Sequence, residues 1–175
     1  ICESVINKSG ANPLHGLNLD LLGLRFPPMG GDECNDELAG YLRAAAEELG
    51  IELRKGIYAM MAGPNYEFTG ECLSLRKEGV NAVGMSTVPE ILAALHGYYT
   101  PEQYQEAAAA SKHGETLPEG ADYNLARRLK VVAVSLISNV IGPDGKNNTS
   151  HEEVVENGKK GAATFVPLVK KFIHK

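Results

Sequence analysis

The chain is 175 residues long, 43% apolar and 22% charged, proportions that fit one soluble domain with a sizeable core. Its 17 basic and 22 acidic residues leave a net charge of −5, without the basic stripe that a nucleic-acid binder carries. No apolar run reaches bilayer length and no charged-then-apolar leader opens the chain, so a soluble, cytoplasmic protein with neither nucleic-acid nor membrane partners is expected.

Cys2, Cys34 and Cys72 are odd in number and widely spaced, which suits neither a disulfide framework nor a zinc site and points to a reducing compartment. The N-x-S/T triplets at Asn7, Asn147 and Asn148 carry little weight without a signal peptide. The chain opens at Ile1 with no initiator Met, as a fragment or a processed product would.

In chain order, a short apolar run over 1–6 ends in the turn composition Asn7-Lys8-Ser9-Gly10. Residues 11–36 are rich in Gly, Pro, Asn and Leu with weak periodicity, an ordered but irregular segment of the kind used for function or interfaces. Asn35 or Asp36 caps a helix with Leu38, Tyr41, Leu42 and Ala45 on one face and Gly50 as its stop. The stretch 52–62 becomes fully apolar, as a central strand does. A helix over 69–78 follows, burying Cys72, Leu73 and Leu75, then a strand over 80–85 and a helix from Val88 with Pro89 in its first turn. Residues 97–128 read as an insertion, with a short helix capped by Thr100 and then a Gly/Pro/Glu-rich loop. Next comes KVVAVSLIS over 130–138, an apolar, β-branched strand expected to be buried on both faces. Ser150 and Glu153 form a capping box for a last helix. Its inner face is expected to be Val154, Val155, Ala162, Phe165, Val169 and Phe172, and Pro167 should kink or break it.

Strands alternating with helices give an α/β fold, one domain over 1–175, in which ligands sit where strand carboxyl ends meet loops. Tyr66, Glu67, Met85, Ser86 and Asn139 all fall at such ends, and His151 falls at a helix start. Singly, each has an ordinary reading. Glu67 is a solvated loop carboxylate, Asn139 an amide serving loop backbone, His151 a helix-start residue and Met85 core filler. Their common placement on one side of one sheet favours a pocket for a flat, polar ligand.

The stretches GPNYEFTGEC, NAVGMSTVPE, SLISN and SHEEV, with ANPLHGLN and LRFPPM, resemble those of the trimeric purine nucleoside phosphorylases. The comparable family stretches read GP-x-F/Y-E-T-x-AE, DAVGMSTVPE, SLI-T/A-N and HEEV. The resemblance covers nearly all of the chain outside the insertion, and only the C-terminal part of the family's domain. It implies a mixed, twisted sheet flanked by helices in a three-layer α/β/α arrangement. It also implies a homotrimer, or another chain that completes the domain.

The activity so implied is phosphorolysis of 6-oxopurine nucleosides, inosine or guanosine, to free base and ribose 1-phosphate, with inorganic phosphate as co-substrate and no cofactor or metal. Carried over residue by residue, Glu67 accepts the 1-position N–H of the base, and Asn139 bonds the 6-oxygen and 7-nitrogen. Tyr66 and Val83 wall the base, Met85 packs by the ribose with Ser86 beside it, and His151 bonds the 5′-hydroxyl. An Asp stands at the Asn139 position in the related methylthioadenosine phosphorylases and suits a 6-amino group, so Asn139 implies a 6-oxopurine.

The chain departs from the family at Lys8, where a Phe is usual, and at Ile1-Cys2-Glu3-Ser4, where His-x-Asn is usual. It also lacks counterparts of the family's phosphate-binding Ser, Arg and His. A catalytically inactive structural or binding subunit derived from a phosphorylase is therefore the alternative expectation.

Overall fold

The computed structural model describes residues 1–16, 29–31, 33–96 and 129–175. The insertion expected over 97–128 lies outside the described residues, as do 17–28 and 32 of the irregular segment.

Among the described residues three strands, β1 (Cys2–Asn7), β2 (Gly56–Met60) and β3 (Val80–Gly84), pair in parallel in the order β1-β2-β3. Their connections are helical: α1 (Asp36–Glu48) precedes β2, α2 (Thr69–Lys77) joins β2 to β3, and α3 (Val88–His96) follows β3. The last helix, α4, spans His151–Ile173. Because all three strands run the same way, their carboxyl ends and the loops after Met60 and Gly84 open on one side.

Local chemistry sets the helix ends. Asn35 caps α1, its side-chain oxygen accepting the Leu38 N–H at 3.1 Å. Phe68 holds the cap position of α2 and has no side-chain acceptor, so only half a capping box forms, the Glu71 carboxylate accepting the Phe68 N–H at 2.8 Å. Ser150 caps α4 by accepting the Glu153 N–H at 3.1 Å, and its hydroxyl, after the Glu152 backbone N–H, holds the Glu152 carboxyl below its ordinary range.

Two apolar clusters lie on opposite sides of residues 131–134. Tyr58, Met60, Cys2, Val88, Ile91, Leu95 and Ala133 form one, with Val131 against it. Leu42, Ala45, Ala46 and Leu168 form the other, where α1 meets α4, with Val132 and Val134 against it. The alternation of 131–134 between the two is the period of extended chain. The strand expected over 130–138 is not paired into the sheet as a ladder, and its cover on both sides extends only over 131–134. Among the described residues the segment is tied to the sheet edge by the Cys2 N–H donating to the Ala133 carbonyl, and the Val131 carbonyl accepts the Asn35 N–H. Farther along, Leu136 and Ile137 stand 43% and 55% exposed, so composition identified the extended backbone but not the side from which it would be covered.

Helix faces also shift from expectation. In α1 the buried residues are Ala39, Leu42, Ala45 and Ala46, while Tyr41 turns outward to donate to Glu37 at 3.1 Å. In α2, Cys72 and Leu75 are buried and Leu73 is half-exposed. Val155 and Ala162 of α4 face outward; the inward stripe is Val154, Asn157, Gly161, Phe165, Leu168 and Phe172, spaced three or four apart, with Gly158 and Val169 partly buried beside it. Gly161 belongs to it because a Cβ there would lie 2.6 Å from a Leu136 methyl. Pro167 does not end the helix, which continues to Ile173 with Leu168 buried and Phe172 packed in the second cluster, so tertiary burial offsets the hydrogen bond Pro removes.

Glu48 near the end of α1 is gripped by Lys171 at 2.6 Å and by Lys175. Hydrogen bonds first from Lys171 and then from Lys175 hold its carboxyl down to about 2. A carboxyl depressed in the folded state stabilises the protein above its unfolded pKa, and that stability is lost as pH falls through the folded value. The difference in melting temperature between the native chain and Glu48→Gln should therefore be steady above about pH 5, shrink below it and vanish near pH 2. It should also be small and reduced by salt, since the groups are exposed.

Candidate functional site

A cavity of about 890 Å³ lies between the carboxyl end of β3, the loop after β2, α2 and residues 135–141. Its walls include Tyr66, Glu67, Val83, Met85, Asn139 and His151. Six of the seven residues singled out in the sequence thus meet at one space. The seventh, Ser86, follows Met85 directly and does not line the wall; its backbone N–H points to the Tyr58 hydroxyl at 3.4 Å and its hydroxyl is 3.3 Å from that of Thr87.

The β3 side of the cavity is braced from beneath. Tyr58 on β2 is 2% exposed, and a Cβ on Gly84 would lie 2.3 Å from its hydroxyl oxygen. Only glycine lets the phenol pass under the strand and reach the Ser86 N–H. The chain then turns sharply, Thr87 taking φ +77° while the Val88 N–H donates to the Ser86 carbonyl at 2.8 Å. This is a γ-turn at a β-branched residue, a strained conformation that the surrounding packing must hold in place.

The opposite side is held by side chains. Asn139 donates from Nδ2 to the Thr149 hydroxyl at 2.7 Å, and its Oδ1 accepts from the Ser138 hydroxyl at 3.3 Å. Asn157, on the inward stripe of α4, donates to the Ser138 carbonyl at 2.8 Å. Arg76 of α2 donates to the carbonyls of Ile141 and Gly142 at 3.3 and 3.0 Å. Glu67 faces Asn147, whose Nδ2 lies 3.5 Å from Oε2, the outer limit of a hydrogen bond. Below it, burial first and the Glu67 charge second push the Cys72 thiol up, which keeps it protonated and inert. Lys8 pairs with Glu78 at 2.7 Å. Among the described residues no cluster of three His, Cys, Asp or Glu side chains gathers to hold a metal ion.

Tyr58, Arg76, Asn147, Thr149 and Asn157 escaped the sequence reading. One signal was available for Asn157, a carboxamide at apolar spacing on an amphipathic helix. Thr149 and Asn147 sit in a polar loop whose composition gives no hint of where it docks.

The phosphorylase superfamily model matches residues 1–97, more than half of the chain. The chain belongs to the phosphorylase superfamily. Within that superfamily it is similar to purine nucleoside phosphorylase 1 of Geobacillus stearothermophilus, 31% identical over 173 residues, covering 99% of this chain and 52% of the relative. It is also similar to the purine nucleoside phosphorylase of Bos taurus, 34% identical over 165 residues, covering 92% and 46%. A solved structure of Schistosoma mansoni purine nucleoside phosphorylase in complex with inosine superposes with a TM-score of 0.75 at 28% identity, covering 99% of this chain and 53% of that one. The chain therefore spans about half the length of the relatives it matches. The superposition identifies the architecture as the three-layer α/β/α phosphorylase fold. Among the described residues, no helix is long and apolar enough to cross a membrane.

The Gly84–Tyr58 contact gives a direct test. Gly84→Ala should destabilise the protein by about 2 kcal/mol in urea unfolding, as overpacking against an immobile side chain does. Adding Tyr58→Phe should recover part of that loss, a non-additivity that identifies the hydroxyl as the obstacle.

Proposed function

We infer that this chain provides the nucleoside-binding part of an enzyme that cleaves 6-oxopurine nucleosides, inosine or guanosine, with inorganic phosphate, giving free base and ribose 1-phosphate. The supporting observation is the convergence of Glu67 and Asn139 on one cavity with Tyr66, Val83, Met85 and His151.

The chemistry requires that arrangement. As the bond between C1′ and N9 breaks, its electron pair moves into the purine and C1′ gains oxocarbenium character; a phosphate oxygen then bonds to C1′. A fixed amide at the 7-nitrogen edge stabilises the charge arriving on the base, and its placement in advance spares reorganisation during the reaction. In this reading Asn139, Glu67 and His151 are the catalytic residues, Asn139 bonding the 6-oxygen and 7-nitrogen. Glu67 accepts the 1-position N–H from the other edge. Tyr66 and Val83 wall the base, Met85 packs by the ribose with Ser86 beside it, and His151 bonds the 5′-hydroxyl. No cofactor enters, and phosphate is the co-substrate. Homotrimeric assembly and a cytoplasmic setting belong to the same reading, by resemblance to the trimeric family. The relatives described above are enzymes by name, which weighs against a purely structural or binding subunit.

Phosphate-dependent release of hypoxanthine from inosine is the deciding measurement, made on the full-length protein. Complete lack of release, together with no calorimetric binding of hypoxanthine or guanine, would sink the assignment. Asn139→Asp should lower kcat/KM for inosine by about 100-fold, as loss of a transition-state donor does. The same change should shift preference toward 6-aminopurines, whose exocyclic group donates.

A further inference from the structure

The turn 147–149 contacts two polar wall residues of the cavity, one from each of its ends. Its Asn147 side chain faces Glu67 at 3.5 Å, and its Thr149 hydroxyl accepts from Asn139 Nδ2 at 2.7 Å. The Thr149 N–H donates to Asn147 Oδ1 at 3.3 Å, so the two ends of the turn are linked. The turn is itself anchored, because Thr149 immediately precedes the α4 cap, Ser150.

A carboxamide offers two N–H donors and two lone pairs on its oxygen. One N–H of Asn139 is committed to Thr149 and one lone pair of Oδ1 to the Ser138 hydroxyl. One donor and one acceptor remain for a ligand, in a plane fixed by the 2.7 Å bond. We propose that Thr149 is a specificity-determining positioning residue, orienting the Asn139 carboxamide so that the cavity takes a 6-oxopurine in preference to a 6-aminopurine. This rests on the nucleoside reading above, with Thr149 acting through Asn139 and making no contact with the base. Without its hydroxyl, the 3.3 Å contact from the Ser138 hydroxyl is the hold that remains on the Asn139 side chain, so the amide turns about χ2 more readily and discrimination between an acceptor and a donor at the 6-position falls.

The test uses Thr149→Val, which removes the hydroxyl, Thr149→Ser, which keeps it, and Thr149→Ala in case the valine chain does not fold. Side-chain amide signals of Asn139 in 15N-labelled protein, assigned by their loss in Asn139→Asp, report the hydrogen bond without any ligand. They should be exchange-protected in the native chain and in Thr149→Ser, and unprotected in Thr149→Val or Thr149→Ala. The ratio of hypoxanthine to adenine affinity should fall about five- to tenfold in the hydroxyl-free variants and stay within about twofold in Thr149→Ser, the loss of one neutral hydrogen bond. Unchanged amide protection and an unchanged ratio in Thr149→Val or Thr149→Ala overturn the proposal. Native protein that binds neither base overturns the nucleoside reading and the specificity role with it, while the amide signals still decide whether Thr149 holds Asn139.

Discussion

The site depends on how residues 138 and 139 are held without a β-ladder. Asn157 takes the Ser138 carbonyl and Thr149 takes the Asn139 amide, so α4 and the turn before it position one of the residues proposed for catalysis. Each bond to a partly buried group is worth about 1 kcal/mol net, and leaving such a group unpaired costs more than that. The inward stripe of α4 must therefore carry polar Asn157 at a place where packing alone would favour an apolar residue. Gly161 lies on the same stripe with Gly158 beside it, and the space Gly161 leaves admits Leu136 to the helix surface.

On the other side of the cavity the constraint is steric. The Tyr58 phenol lies under β3, Gly84 makes room for it, and the chain leaves the strand through a strained turn at Thr87. Met85 sits between the glycine and the strained residue and is 60% exposed. The backbone around it is determined while its own side chain stays open to the cavity.

Much of this was legible in the sequence, and the reason is local. The run from β2 through α3 has strong punctuation, with Gly63-Pro64 after a strand, Gly79 after a helix and Pro89 in a first turn, so element order and the placement of Tyr66, Glu67 and Met85 followed from it. The expectation that 130–138 is a strand buried on both faces held for the cover of 131–134 but not for a ladder or for Leu136 and Ile137, because burial depends on what covers a segment and its own β-branched composition does not carry that information. The α4 face was misplaced for a related reason. Val155 and Ala162 count as apolar in a pattern, but two glycines and an asparagine take part in the face that meets residues 136–138. Pro167 was expected to interrupt a helix whose burial around Leu168 outweighs a lost hydrogen bond.

The two sides of the cavity differ in stiffness. The β3 side belongs to the parallel β2-β3 ladder, whereas residues 135–141 are attached by separate side-chain bonds from α2 and α4. Motions cheaper than unfolding draw on segments with few ladder bonds. Among the described residues, opening the cavity therefore costs least on the flank of 135–141, where individual side-chain bonds rather than ladder bonds would have to break.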